Sequence, residues 1–399
     1  WLDALTIDWP ISRRRYYATP IPLWYAHEKV ALAKSGTYVQ PWKEQPSPDC
    51  EVINKETKKH LGTVADFPDE TWSGETRVLD TWFDSSISEL NMLKYKQDDE
   101  FFAKAYPASL RPQGKEIVRT WLYYTLLRGY LETGKASFEN TWIHNHILDE
   151  KGRKMSKSLG NVIDPQEILK GEGAEALRLW AATEGDLSMG DLSCSKEKIK
   201  AEKKTVNKLL NLAKFIMQFG EVKERPKLAS LDELFISYMD GLTEYCEKGY
   251  EKYDFFHPAQ ELRRFLWDLL ASNYVEMVKS RAYNEQKQFN EQESDSAKYT
   301  LHYLFERLLV LLYPIMPQVT SLIAEERGVN LHESKWPSYR ATAFEEDKGL
   351  IEKIMEFNAR VWKEKKDQKI ALNQPIQGIT IPENLTSFAK DLNACHYLA

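Results

Sequence analysis

A chain of 399 residues that is 42% hydrophobic and 29% charged is long enough for two or three domains and too apolar to be disordered. Its 54 basic and 60 acidic side chains leave a net charge of −6, which argues against non-specific coating of DNA or RNA. It does not exclude a nucleic-acid partner, because phosphate contact needs only a local basic surface.

No apolar run approaches the roughly 20 residues of a membrane span, and no charged-then-apolar leader opens the chain. Cys50, Cys194, Cys246 and Cys395 form no Cys-x-x-Cys pair, as expected of a reduced, cytoplasmic protein. The chain begins at Trp1 in mid-pattern, so a fragment of something longer is expected.

Residues 1–28 are dense in aromatics and prolines, as in Trp9-Pro10 and Pro20-Ile21-Pro22, and this geometry favours strands and loops. A polar stretch at 29–75 reads as a small insertion in the first domain. Val78–Phe83 is β-prone and ends in Asp84-Ser85-Ser86. Gly114 then opens a helical stretch that places Ile117 and Trp121 on one face.

Thr141–Leu148 alternates as a strand does and runs into the turn Asp149-Glu150-Lys151-Gly152. Asp164-Pro165-Gln166-Glu167 is a helix start, with an Asp cap, Pro in the first turn and Glu three residues after the cap. Strand, loop and helix thus alternate over 1–195, which predicts an α/β domain.

From 196 the pattern becomes long and amphipathic. Leu262, Phe265, Leu266, Leu269 and Leu270 make one helical stripe, and Leu301, Leu304, Leu308, Leu311, Leu312 and Ile315 another. A polar link, Asn284 to Lys298, separates them, and an all-α bundle over 196–337 is expected. A C-terminal α/β extension over 338–399 should hold a charged helix at 344–367, a strand at Pro375–Pro382 and a short helix.

Lys154 and Lys157 lie three apart, beside the small Ser156 and Ser158, with Gly152 and Gly160 flanking them. Such a loop suits closure over a triphosphate. When a carboxylate attacks the α-phosphate of ATP, charge builds on the leaving pyrophosphate, and lysines near it stabilise the transition state more than the ground state.

The string Gly152-Arg153-Lys154-Met155-Ser156-Lys157-Ser158-Leu159-Gly160-Asn161 resembles the K-M-S-K-S motif of class I aminoacyl-tRNA synthetases. That resemblance implies a Rossmann-type catalytic domain, here its second half, in which Lys154 and Lys157 contact ATP phosphates, helped by Ser156 and Ser158. Mg2+ would accompany the ATP. Further segments resemble the valyl branch in its archaeal or eukaryote-like form. Asp8-Trp9-Pro10-Ile11-Ser12-Arg13 is similar to the family's D-W-C-I-S-R, with Pro10 in place of Cys. Leu79-Asp80-Thr81-Trp82-Phe83-Asp84-Ser85-Ser86 and Arg111–Trp121 look like the valyl patterns, and Ile117 departs from the Gln of isoleucyl enzymes.

The resemblance implies that Trp82, Ile117 and Trp121 line a valine side-chain pocket, a size filter that rigid aromatic walls suit. It also implies that Gly114 and Glu116 meet the ribose and that Asp80 lies near the substrate ammonium. The helical region, through Phe265-Leu266-Trp267-Asp268 and Leu312–Pro317, resembles the anticodon-binding domain of the same enzymes. Valine, ATP and tRNA(Val) are therefore the implied partners of what should be a monomer. An isoleucyl enzyme and a non-catalytic tRNA-binding protein remain the alternatives.

The family's H-I-G-H motif is absent from the eight histidines, and the valyl editing domain would also precede Trp1. Cys50 stands alone where relatives carry paired zinc knuckles, so no structural zinc is expected. Without its missing half the loop should be open and mobile. The purified chain is expected to show no valine-dependent exchange of pyrophosphate into ATP, and detectable exchange would overturn that.

Overall fold

The structure, a computed structural model, describes residues 10–398, so Asp8 and Trp9 of the expected segment lie outside the described residues. The chain forms two compact units, one up to Asn145 and one from His146 onward.

In the first unit, β1 (Ser12–Arg13) leads into β2 (Leu23–Ala26), β3 (Lys29–Leu32), β4 (Glu51–Asn54), β5 (His60–Thr63) and β6 (Ser73–Gly74). These last five form an antiparallel sheet in the order β5-β4-β3-β2-β6. The sheet begins upstream of the polar stretch at 29–75, because the apolar Leu23–Ala26 supplies an inner strand. Its core is Trp24, Ala26, Ala31, Cys50, Val52 and Trp72, which makes Cys50 a packing residue.

β7 (Val78–Leu79) returns antiparallel to β1. Trp82 and Phe83, expected in a strand, lie instead in α1 (Thr81–Ser85). Asp80 is extended, and its carboxylate accepts from the Trp82 N–H at 2.7 Å, a cap that overrides the aromatic β-preference. After α2 (Ser88–Met92) and α3 (Asp99–Ala105), β8 (Ala108–Gly114) and β9 (Phe138–His144) pair in parallel, with Gly114 opposite His144. A 3-10 turn, a π-helical turn at Val118–Leu122 and α4 (Tyr123–Thr133) make the crossover, packed on Val118, Leu122 and Phe138.

The expected strand Thr141–Leu148 breaks at Asn145-His146. Beyond the break, β10 (Ile147–Leu148) pairs in parallel with β11 (Leu192–Ser193) in the second unit. Between them, α5 (Pro165–Gly171) starts at the Asp164 cap as the sequence indicates, with Asp164 accepting from the Gln166 N–H at 2.9 Å. α6 (Ala174–Glu184) then buries Ala176 and Trp180 with Ile168, Cys194 and Ile199.

α7 (Lys196–Met217), α8 (Ser230–Glu251) and α9 (Phe256–Arg264) follow, and α9 runs through a π-helical stretch into α10 (Val275–Tyr283). α11 (Glu291–Leu312), α12 (Pro317–Glu326), α13 (Phe344–Asp367) and α14 (Ala389–His396) complete the unit. Both leucine stripes are buried, none of their residues more than 3% exposed. The polar link is shorter than Asn284–Lys298, because Asn290 and Glu293 form a reciprocal capping box that starts α11 at Glu291. Charged residues after that cap are the outer face of a helix.

α13 occupies the expected 344–367, but Pro375–Pro382 forms no strand ladder and makes one parallel bridge, Ile376 to Leu398. A proline at each end removes two N–H donors from that segment. Ile351, Ile354, Phe357, Val361 and Leu392 join the same core as the bundle leucines, so the extension is packed into it.

Arg281 is buried at the centre of this unit. Its Nη1 and Nη2 meet the two Asp232 oxygens at 2.6 and 2.8 Å, Nε meets Asp391 at 2.9 Å, and Nη1 also donates to the Glu293 carbonyl at 3.0 Å. Tyr274 donates to Asp232 at 2.6 Å, and Ser296 donates to it as well. Replacing Arg281 by Met should cost about 3–5 kcal/mol in urea unfolding, since Asp232 is left charged and buried without a counterion.

His396 is fully buried and donates through Nε2 to Asn358 Oδ1 across 2.7 Å. Burial, with Lys365 nearby, pushes its pKa down from 6.5 to about 4. Between those values the unfolded chain binds the proton better, so His396 withdraws stability as pH falls from 6.5 toward 4. Burial moves Asp391 the other way, up to about 6, so that its contribution is lost as pH rises through the overlapping range. The pair mask each other in the parent. The stability of His396→Gln relative to the parent should therefore rise by about 3 kcal/mol between pH 7 and pH 4, read from urea unfolding at each pH.

Candidate functional site

In the first unit, Trp82 is 37% exposed, which is unusual for so large an apolar side chain and does not fit a core residue. Trp121 is half-buried, and its Nε1 donates to the Ser85 carbonyl at 3.2 Å, tying the Trp82 helix to the turn that carries Trp121. Ile117 lies one turn before Trp121 and is also half-buried. Two arginines hold this corner. Arg128 donates to the Phe83 carbonyl at 2.7 Å and to Ser86 Oγ at 3.0 Å, with its guanidinium 4.2 Å over the Phe83 ring. Arg111 lies 3.4 Å over the Trp121 ring.

Asp80 is buried and both its oxygens are engaged within the unit, one by the Trp82 N–H and the other by Arg13 at 2.8 Å. Its observed work is structural. Gly114 ends β8, and a Cβ there would fall 2.4 and 2.5 Å from the Glu116 carboxylate oxygens. With no Cβ in the way, that exposed carboxylate folds back beside the strand end.

The lysine string lies in the second unit, between β10 and α5. Asp149 is buried at its base and accepts from the backbone N–H groups of Lys151 at 3.0 Å and Arg153 at 2.8 Å. The Arg153 side chain closes on it at 2.9 Å, and Asn161 Nδ2 reaches it at 2.9 Å. These hydrogen bonds, Asn161's above all, hold the Asp149 carboxyl well below the usual carboxylate range. Asn161 Oδ1 accepts from the Ser156 N–H at 2.9 Å, and Ser156 Oγ, 3.1 Å from Ser158 Oγ, caps a 3-10 turn at Lys157–Leu159.

Gly152 (φ 72°) and Gly160 (φ 63°) supply the left-handed residues at which the chain turns in and out. Met155 points down, with its sulfur accepting from the Ile163 N–H, into the apolar cluster beneath. Lys154 and Lys157 are exposed, and among the described residues no carboxylate takes up either ammonium. The backbone of the loop is thus braced at both ends while its cations face outward.

The motifs assign no role to Asp149, Arg128 or Arg111. Asp149 opens an Asp-x-x-Gly turn, which marks a side chain that bonds its own following backbone. Arg111 opens the Arg111–Trp121 string, but nothing in the sequence marks either arginine as one that stacks on a ring. Among the described residues, no group of three or more His, Cys, Asp or Glu side chains is placed to hold a metal ion. No helix among them is long and apolar enough to cross a membrane.

A family described as tRNA synthetases class I (I, L, M and V) matches residues 1–193, and one described as the anticodon-binding domain of tRNA ligase matches 232–380. The fold agrees: the chain is similar to the LeuRS of Agrobacterium radiobacter K84, solved as a ternary complex with tRNA and LeuAMS. That likeness has a TM-score of 0.57 at 18% identity and covers 83% of this chain and 43% of that one. The chain belongs to the class I aminoacyl-tRNA synthetases.

Within that class it is similar to valine–tRNA ligases. It is 38% identical to that of Aeropyrum pernix, over 100% of this chain and 48% of the relative. It is 41% identical to that of Nanoarchaeum equitans, over 99% of this chain and 50% of the relative. The chain spans about half the length of the curated relatives it matches, and corresponds to their C-terminal half.

Proposed function

We propose that this chain is the C-terminal half of a cytoplasmic, monomeric valine–tRNA ligase, which forms valyl-adenylate from valine and ATP-Mg2+ and transfers the valyl group to tRNA(Val). Residues 1–195 supply the second part of the catalytic domain, 196–337 the anticodon-binding bundle and 338–399 an extension packed on it. The observation that carries the reading is the Gly152–Asn161 loop, with two uncompensated lysines, in a chain similar along its whole length to valine–tRNA ligases.

The chemistry needs cations where pyrophosphate departs. Lys154 and Lys157 have that charge to give, because the neighbouring Asp149 is already neutralised by Arg153. Ser156, Ser158 and the loop amides add neutral donors for the remaining phosphate oxygens. Trp82, Ile117 and Trp121 form the wall that admits the valine side chain, and their hydrogen-bonded and stacked supports make it rigid enough to filter by size. Gly114 and Glu116 take the ribose hydroxyls. Asp80, held by the Trp82 N–H and Arg13, brings its negative charge to the substrate ammonium.

In the complete ligase, Lys157→Ala should lower kcat for valine-dependent ATP–pyrophosphate exchange on the order of 10²–10³-fold, the loss expected for one transition-state donor, with KM for valine nearly unchanged. Lys154→Ala should act in the same direction. Parental kcat in both variants would overturn the reading.

A further inference from the structure

Two lysines on an irregular loop can be poised for a triphosphate only if something fixes the backbone that carries them. Among the described residues, no strand partner does so beyond a single bridge between Leu148 and Lys154. We propose that Asp149 and Asn161 are the positioning residues of the lysine loop: together they set where Lys154 and Lys157 stand, without touching substrate. The inference rests on the functional reading of that loop given above.

Asn161 engages both peptide groups that flank Met155. Its Oδ1 accepts from the Ser156 N–H at 2.9 Å, and its Nδ2 donates to the Lys154 carbonyl at 3.2 Å. One side-chain amide thereby does for the loop what a neighbouring strand does for a ladder, satisfying a donor and an acceptor two residues apart. Only an amide offers both at this length. An isosteric carboxylate would still accept from Ser156 but would have no hydrogen for Lys154 or Asp149.

The same Nδ2 reaches Asp149 Oδ2 at 2.9 Å, which fixes the orientation of the amide. Asp149 is suited to hold it, being buried, acceptor-only and anchored by the Lys151 and Arg153 backbones. The chain of contacts thus runs from the base of the loop, through two side chains, to the two peptides on either side of Met155, between the lysines. Met155, seated in the apolar cluster below, prevents the segment from rolling about its own axis.

A residue that acts only through the lysines should lower the rate in their presence and add nothing once one is gone. In the complete ligase, Asn161→Asp should reduce kcat for valine-dependent ATP–pyrophosphate exchange on the order of 10²-fold, as sub-ångström misplacement of a catalytic group does. KM for valine should stay within about two-fold, since the loop change leaves uniform binding untouched. Asp149→Asn should give the same signature. Asn161→Asp combined with Lys157→Ala should be no slower than Lys157→Ala alone, a non-additivity that a general loss of structure would not produce.

Hydrogen exchange on the chain itself should show faster exchange of the Ser156 amide in Asn161→Ala, which removes its acceptor, with the α8 and α11 amides unchanged. That measurement separates loop release from misfolding. Parental kcat in Asn161→Asp and Asp149→Asn beside an impaired Lys157→Ala overturns this inference and leaves the functional reading standing. Full additivity with Lys157→Ala overturns it equally. Parental kcat in both Lys157→Ala and Lys154→Ala overturns the functional reading and this inference with it.

Discussion

The buried guanidinium of Arg281 is the constraint on which the larger unit depends. Its partners come from α8 (Asp232), the start of α11 (Glu293) and α14 (Asp391), while it rides on α10 itself. Taking these charges out of water is costly, and an apolar substitute of the same volume often stabilises as well. The gain lies in alignment. α11 presents leucine after leucine, and such a stripe packs nearly as well when slid by a turn. A guanidinium that must meet two carboxylates and a carbonyl at once admits one register. α14 lies far along the chain from α8, yet Arg281 binds both, and this makes the C-terminal segment part of the bundle.

That fixed bundle is also the platform of the lysine loop. Leu179 of α6 belongs to the bundle core, Arg178 donates to the Ile315 carbonyl at 2.7 Å, and Gln260 of α9 donates to the Thr183 carbonyl at 2.5 Å. α6 in turn packs with α5 and the start of α7 over the cluster that receives Met155. Hence the division between the units at 145/146, inside the stretch that alternation of strand and helix groups as one α/β domain. Alternation counts elements along the chain, whereas these contacts follow burial, and residues 146–195 bury their apolar face against helices.

Much of this was legible because it repeats. The stripes at 262–270 and 301–315 carry a 3.6-residue period, and α13 begins and ends where its charges do. The cap at Asp164 is local chemistry written in four consecutive residues. What escaped is what single side chains decide. Trp82 and Phe83 have strand-forming identities, and one carboxylate at Asp80 turns them into a helix. Glu291–Lys298 is polar enough to pass for a link until Asn290 and Glu293 are seen to close on each other. Pro375–Pro382 has the composition of a strand and, among the described residues, only a single bridge, to Leu398. At the site, the fixed string made the lysines visible. Asp149 and Asn161 were not singled out by role, because side-chain bonds to an irregular backbone leave no periodicity.

The placement of charge around the loop explains why the brace does not defeat the lysines it supports. A bare carboxylate at Asp149 would attract Lys154 and Lys157 and hold their ammoniums away from any phosphate. Here the Arg153 guanidinium closes on Asp149 at 2.8 Å, and the remaining lone pairs take backbone N–H groups and the Asn161 amide. Glu150 is turned toward the start of α7, where it meets the Lys196 N–H. Both acidic residues at the base of the loop are therefore spent on structure, and the positive charge of two lysines is left facing outward. A triphosphate approaching such a loop meets cations whose backbone is already held, so little reorganisation is needed when the leaving group develops its charge. Electrostatic stabilisation of a leaving group requires that combination, and here Asp149 and Glu150 each have partners other than Lys154 and Lys157.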